Sequence, residues 1–105
     1  MSTEITSQSD STKLVTKLTL INKHGIHVRT AAKISELCET FASDVLISSP
    51  SATSDATDMM RLLLLQAGVG TELTIEVSGN DAEHALQSLS SLINSGFNIP
   101  EERLD

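Results

Sequence analysis

The chain has 105 residues and a formal net charge of −7 at pH 7, with 14 acidic against 7 basic side chains. This length fits one domain with a modest core, and 39% of the residues are hydrophobic. The acidic balance argues against a nucleic acid or an anionic membrane as partner, and a chain without tyrosine or tryptophan offers no aromatic platform for stacking bases.

Cysteine content, metal-ligand spacing and hydropathy argue against further classes of protein. The single cysteine, Cys38, cannot form an internal disulfide, and its place on an apolar helical stripe favours a buried side chain over a nucleophile. No cluster of His, Asp and Glu has metal-ligand spacing and no nucleotide-binding loop is present, so we expect no metal or other cofactor. Because no apolar run has the length of a membrane span and the N-terminal residues lack the apolar stretch of a signal peptide, we expect a cytoplasmic protein without membrane insertion.

The first half of the chain is predicted to contain a tail, three strands and a helix. Residues 1–12 are rich in Ser, Thr and Gln without periodicity, which predicts a disordered tail. Leucines alternate with polar residues over 14–21, as in a half-buried strand, and an apolar stripe predicts a helix from about 28 to 39. A short strand follows over 44–48, and a weak edge strand is expected near 52–54.

The second half begins with a short helix and one more strand. Asp58 is placed to cap a helix over residues 59–65. Gly68 and Gly70 indicate a turn, after which apolar and polar residues alternate over 73–77, as in a strand with one buried face.

The last predicted element is a helix over residues 82–93. Asn80 and Glu83 have the spacing of a capping box at its start, and Gly96 suits the position after its end. The residues after Phe97 are polar and are expected to form a loose tail. The order βαββαβα, with one apolar face on each element, predicts an α+β fold in two layers: an antiparallel sheet covered by helices on one side.

A glycine, a histidine and an arginine lie where the first strand passes into the first helix. A helix N-terminus gathers free backbone N–H groups and the positive end of the helix dipole, which favours a bound anion. His27, directly before the helix, could hold that anion as phosphate on a ring nitrogen, since neutral imidazole is a good nucleophile. The N–H groups of Val28 and Arg29 could donate to its oxygens, and the guanidinium adds a cation suited to phosphate. From these residues alone, a purely structural histidine remains an alternative.

The segment Gly25-Ile26-His27-Val28-Arg29-Thr30-Ala31 resembles the active-site signature of the HPr/NPr phosphocarrier family of the bacterial phosphotransferase system. In that family the order is Gly, an aliphatic residue, the phosphorylated His, a small residue, Arg, Pro and Ala. The resemblance implies that His27 is the phosphorylated residue and Arg29 its partner. Two positions depart from the pattern: Val28 is larger than the usual alanine, and Thr30 replaces the proline. Threonine fits the same helical turn, but the stiffness of the loop is left open.

The resemblance also implies a fold and a function. The fold would be an HPr-like two-layer sandwich over residues 13–98, a four-stranded antiparallel sheet with three helices on one face, and 99–105 would be a C-terminal tail. The protein would be a monomeric carrier, rather than a free-standing enzyme, that accepts phosphate from a phosphoenolpyruvate-dependent enzyme I and passes it to an enzyme IIA. Sugar uptake and nitrogen-branch regulation both remain open, although the ending 92–97 is more similar to the nitrogen branch. The alternative is a regulatory module whose partner binding is gated by phosphorylation of His27.

The second helix would contribute the surface that binds these partners. In the family, one face of this helix packs inward and the other faces partners beside the histidine. By that resemblance, Leu62 and Leu65 point inward, and a partner-binding patch is formed by Met59, Met60 and Leu63. The alternative from composition alone is that all five side chains belong to the core.

Asp58 matches the position of the regulatory serine of Gram-positive members of the family. One interpretation is a permanent mimic of the phosphorylated state, and the simpler one is an ordinary helix cap. Aspartate carries one negative charge, whereas phosphoserine carries about −1.5 to −2, so charge alone does not establish regulation.

The two remaining histidines are assigned no function. His24 lies outside the core of the motif and is expected to be an exposed loop residue, and His84 falls on the outer face of the last helix.

Overall fold

A computed structural model describes residues 13–103; the tail predicted over 1–12 and the last two residues lie outside the described part of the chain. The elements within that part are β1 Lys13–Thr19, α1 Val28–Cys38, β2 Asp44–Ser48, β3 Thr53–Asp55, α2 Met59–Leu63, β4 Glu72–Ser78 and α3 Ala82–Asn94. Two 3₁₀ turns follow, Gly96–Asn98 and Pro100–Glu102. The predicted order βαββαβα is confirmed.

The strands form one antiparallel sheet in the order β1-β4-β2-β3. The long strand β4 lies in the middle, paired with β1 over seven positions and with β2 over five. In this register Ile75 of β4 lies opposite both Thr16 and Ile47. Because side chains alternate between the faces of a strand, this pairing brings the apolar residues of neighbouring strands to one face of the sheet.

The core lies between that face and the helices. Leu73, Ile75 and Val77 of β4 are fully buried, as are Ile34 of α1 and Leu89 of α3. Helix α3 contacts β1 and β4, α1 packs against α2 and α3, and α2 contacts β3. Residues of the opposite face, such as Val15, are exposed, so the predicted two-layer α+β architecture with helices on one face is confirmed.

Helix α2 is shorter than predicted. It ends at Leu63 instead of residue 65, because the next two N–H groups, those of Leu64 and Leu65, donate to carbonyls only three residues back, at 3.0 and 3.2 Å. Gln66 then adopts a left-handed conformation with φ of 53°. Such tightening is common at helix ends and is not encoded in the apolar pattern.

The capping box predicted for the last helix is wrong. The N-cap of α3 is Asp81 and not Asn80. The Asp81 carboxylate accepts hydrogen bonds from the N–H groups of Ala42 and Ser43, at 2.8 and 2.9 Å, and from the Ser43 hydroxyl. The Ser43 hydroxyl, followed by the Ala42 N–H, holds the pKa of Asp81 below its usual value. Asp81 therefore ties α3 to the loop before β2 and does not cap its own helix through its side chain.

The expectation of a loose tail after Phe97 is wrong for the residues from there to Arg103, the last one that the structure describes. Gly96 has the expected position after the helix end, with φ of 70°. Phe97 and Ile99 then pack into the core with at most 2% of their surface exposed. The chain turns back to the loop before α1, where the Lys23 N–H donates to the Glu102 carbonyl at 2.6 Å. This return brings an acidic side chain to the predicted phosphate site.

Candidate functional site

His27 is the N-cap residue of α1. Its backbone is extended, with φ of −139° and ψ of −173°, and its carbonyl accepts the first helical hydrogen bond from the Ala31 N–H at 2.7 Å. About a third of the side chain, 34%, is exposed. The imidazole therefore lies at the helix N-terminus and remains open to solvent on one side.

The Thr30 hydroxyl fixes the backbone on either side of the histidine. Thr30 is fully buried; its Oγ1 accepts from the His27 N–H at 2.9 Å and donates to the Gly25 carbonyl at 2.9 Å. The Thr30 N–H in turn faces the His27 side chain, completing a capping box. A proline would supply neither the hydroxyl nor the N–H. Hydrogen bonds of Thr30 thus hold the loop at the position where the motif usually has the rigid ring of a proline.

Gly25 allows this loop to pack closely against the segment that follows α2. Its φ of 61° is left-handed, and a Cβ at this position would collide with the Ala67 carbonyl and with Gly68. The adjacent Ile26 N–H donates to that same Ala67 carbonyl at 2.8 Å. The glycine of the motif is therefore required by a close backbone approach next to the histidine.

The backbone donors predicted for phosphate are free within residues 13–103. The N–H groups of Val28 and Arg29 belong to the first turn of α1 and have no intrahelical acceptor. Both side chains are exposed, Val28 by 61%. In the part of the chain that the structure describes, the Arg29 guanidinium forms no ion pair. Two N–H groups and an exposed guanidinium, which has no ion-pair partner among the described residues, are thus present in the first turn of α1, directly after His27.

Glu102 lies against the histidine and was not predicted as a site residue. The residue is 5% exposed, and Oε1 accepts from the His24 N–H and from Asn22 Nδ2, both at 2.9 Å. Oε2 lies 3.0 Å from His24 Nδ1 and 3.2 Å from His27 Nε2. Burial raises the pKa of this carboxyl, but hydrogen bonds, first from the His24 N–H and then from Asn22, outweigh burial and lower the pKa to about 2.

The other two histidines differ in their relation to this site. His24 is exposed, as expected, but its ring stands edge-on to His27 with 6.0 Å between centroids and shares the Glu102 carboxylate. His84 lies exposed on α3, remote in sequence from the loop, and packs edge-on against Phe41 at 5.7 Å. His24 therefore belongs to the surroundings of His27, whereas the ring contact of His84 is with Phe41.

The predicted patch on α2 is only partly exposed. Met60 is 67% exposed, whereas Met59 and Leu63 are half-buried against the core. Leu62 and Leu65 are fully buried, as expected. The sequence did not indicate that Leu64 is also exposed, by 67%. Leu64 follows the last residue of α2, Leu63, whereas the predicted helix extended to residue 65.

Asp58 caps α2. Its Oδ1 accepts from the Arg61 N–H at 3.1 Å, the hydrogen bond expected of an N-cap carboxylate. The Arg61 side chain also approaches it, at 3.9 Å, but both groups are well exposed, so this ion pair adds little.

Other chemistry is not supported by the described residues. Cys38 is buried, and burial, followed by the charge of Asp55, raises the pKa of its thiol to about 12. No group of three or more His, Cys, Asp or Glu side chains in the described range could hold a metal ion. None of the helices described is both long enough and apolar enough to cross a membrane.

The fold is that of the histidine-containing phosphocarriers. Residues 14–95 match the family described as PTS-HPr, "PTS HPr component phosphorylation site", so the chain belongs to the HPr family of the phosphotransferase system. It is a phosphocarrier that accepts a phosphoryl group on a histidine from enzyme I and passes it to an enzyme IIA.

Relatives named HPr and relatives named NPr are both similar to this chain. Phosphocarrier protein HPr of Cupriavidus necator is 38% identical over 79 residues, 75% of this chain and 89% of that protein. Phosphocarrier protein NPr of Escherichia coli K12 is 35% identical over 79 residues, 74% of this chain and 88% of that protein. Among solved structures, HPr-C-His from Thermoanaerobacter tengcongensis superposes with a TM-score of 0.78 at 26% identity, covering 82% of this chain and 97% of that one.

Proposed function

We propose that His27 is the histidine that carries the phosphoryl group. The observation that carries this proposal is its position as N-cap of α1, with the unpaired N–H groups of Val28 and Arg29 beside it. Phosphate is doubly negative near neutral pH, and the positive end of a helix dipole with two free donors is the environment that binds such a group best.

The chemistry requires little more than the imidazole itself. A ring nitrogen of His27 donates its lone pair to phosphorus while the bond from phosphorus to the donor group breaks and its electron pair leaves with that group. The N–H groups of Val28 and Arg29 and the Arg29 guanidinium share the charge of the phosphoryl oxygens during this exchange. Because the phosphate stays near solvent, the same steps run in reverse towards the next protein.

Partners are proposed to dock on the exposed apolar residues of α2 and of the position directly after it. Met60 and Leu64 present flexible apolar surface, with Met59 and Leu63 at its buried margin. Single exposed apolar residues are normal, but two close together in the chain, one of them a flexible methionine, suit transient contacts with a partner. We propose that the chain acts as a monomer in the cytoplasm and that Asp58 is a helix cap without a regulatory role.

The proposal is tested by phosphorylation with enzyme I and phosphoenolpyruvate, followed by mild acid, which cleaves phosphohistidine but leaves phosphoserine intact. Wild type, His24→Ala and His84→Ala should all take acid-labile phosphate, and His27→Ala should take none. Addition of an enzyme IIA should then remove the label from the three active proteins. Acid-labile phosphate on His27→Ala would refute the assignment.

A further inference from the structure

The carboxylate of Glu102 is the one buried acid that faces the reacting histidine within residues 13–103. It comes from the turn Pro100–Glu102, about 75 residues further along the chain, and it is held in place independently of its side chain. Ile99 is buried in the core, and the Glu102 carbonyl accepts from the Lys23 N–H. A carboxylate placed so rigidly beside Nε2 can influence which ring nitrogen of His27 reacts.

The hydrogen-bond inventory of this carboxylate decides the tautomer of the ring. An ionised carboxylate has about four acceptor sites and no hydrogen to donate. Oε1 already accepts from the His24 N–H and Asn22 Nδ2. The other oxygen, Oε2, contacts a ring nitrogen of His24 and one of His27. A favourable contact at Oε2 requires a hydrogen on His27 Nε2. The lone pair of neutral His27 is then on Nδ1, the other ring nitrogen, which is left to face the helix N-terminus.

We propose that Glu102 is a positioning residue of phosphoryl transfer, which holds the Nε2–H tautomer of His27 and so presents Nδ1 as the nucleophile. This inference rests on the proposed function, since it requires His27 to be the acceptor. The proton on Nε2 stays in place throughout. When Nδ1 forms its bond to phosphorus, the ring acquires positive charge, which the adjacent carboxylate stabilises.

The same contact prepares the group for onward transfer. When the bond from phosphorus to Nδ1 breaks, its electron pair returns to Nδ1, and the ring leaves as neutral imidazole because Nε2 is still protonated. Without that proton the leaving group would be an imidazolate anion, which is far less stable. The carboxylate thus assists both directions without touching the phosphoryl group, as the aspartate of a serine protease triad does for its histidine.

Glu102→Gln is the informative substitution because it preserves shape while changing the donor pattern. The amide oxygen should take the Oε1 position, where two donors already point, and the amide NH₂ should take the Oε2 position. The amide would then donate to His27 Nε2 and favour the tautomer that carries its proton on Nδ1. In that tautomer Nδ1 has no free lone pair with which to attack phosphorus. The neighbouring acid Glu101 is exposed, so Glu101→Gln removes the same charge from the same turn and is a matched control.

The direct readout is the tautomer of neutral His27, measured by long-range ¹H–¹⁵N NMR on the unphosphorylated full-length chain. Wild type and Glu101→Gln should show the proton on Nε2, and Glu102→Gln should shift it to Nδ1. In parallel, transfer from enzyme I should be at least about tenfold slower in Glu102→Gln, since the corresponding tautomer error in a serine protease costs about 10⁴. Protection of the Lys23 amide from exchange reports whether the turn remains docked, because it depends on the Glu102 carbonyl and not on its side chain.

The outcomes separate this inference from the proposed function. If wild type takes no phosphate on His27, the function is wrong, whatever the tautomer. If wild type is phosphorylated on His27 but its neutral ring carries the proton on Nδ1, the inference is overturned, even if no variant folds. It is equally overturned if Glu102→Gln, with Lys23 still protected, has the tautomer and the transfer rate of wild type.

Discussion

Replacement of Thr30 by valine tests whether hydrogen bonds hold the loop that carries the histidine. The two side chains have nearly the same shape, so the change removes the hydroxyl and leaves packing intact. The partly buried His27 N–H loses its acceptor, which costs an amount near the lower end of the range of about 1–3 kcal/mol known for buried groups. The Gly25 carbonyl retains Asn22 Nδ2 at 2.7 Å, so its loss is smaller, and the buried methyl returns about 0.8 kcal/mol. We expect the free energy of unfolding to fall by about 1–2 kcal/mol.

The measurement is urea unfolding followed by far-UV circular dichroism, since the chain has no tyrosine or tryptophan. At about 4–8 °C per kcal/mol for a domain of this size, the melting temperature should fall visibly as well. Amide exchange should accelerate at His27 in Thr30→Val but not in Thr30→Ser, which keeps the hydroxyl. A Thr30→Val protein as stable as wild type, with unchanged exchange at His27, would show that these hydrogen bonds do not hold the loop.

Three further substitutions or conditions test other parts of the site. Arg29→Ala should slow transfer from enzyme I yet change the free energy of unfolding by less than about 0.5 kcal/mol, because the side chain is exposed; unfolding would mark it as structural. Asp58→Ala should cost about 0.5–2 kcal/mol and Asp58→Ser much less, with transfer unchanged in both if Asp58 is only a cap; a large acceleration in Asp58→Ser would contradict that. Since folding lowers the pKa of Glu102 from 4.5 to about 2, its stabilisation is complete above pH 4.5 and lost as pH falls towards 2. Acid titrations should therefore show a steeper loss of stability over that range in wild type than in Glu102→Gln.

Elements with clear local signals were predicted well from the sequence. The strand β2 has the predicted bounds, Asp44–Ser48, because its alternating residues lie between polar turns. The cap of α2 by Asp58 was likewise predicted, since an N-cap is decided within four residues. The position of His27 before α1 followed from the glycine loop and the apolar stripe of the helix.

The features that were missed depend on contacts between distant parts of the chain. Glu102 belongs to a run of charged residues that is typical of a solvated tail, and its contact with His27 spans 75 positions. The same holds for Asp81, whose carboxylate is bound by a loop 38 and 39 positions earlier. Phe97 and Ile99 offered the available signal: two large apolar residues after the last helix indicate that the chain is still packing against the core. No local periodicity could have shown where that segment docks.

The assignment of His27 as the phosphorylated residue is tested most directly by locating the phosphate in the protein after phosphorylation by enzyme I. Long-range ¹H–¹⁵N NMR distinguishes all six ring nitrogens of His24, His27 and His84 in one sample. We expect one of these nitrogens, Nδ1 of His27, to change in the manner of phosphorylation, while Nε2 of the same ring keeps its proton. Phosphate on His24 or His84 would contradict the proposed function, and phosphate on Nε2 of His27 would contradict the role of Glu102.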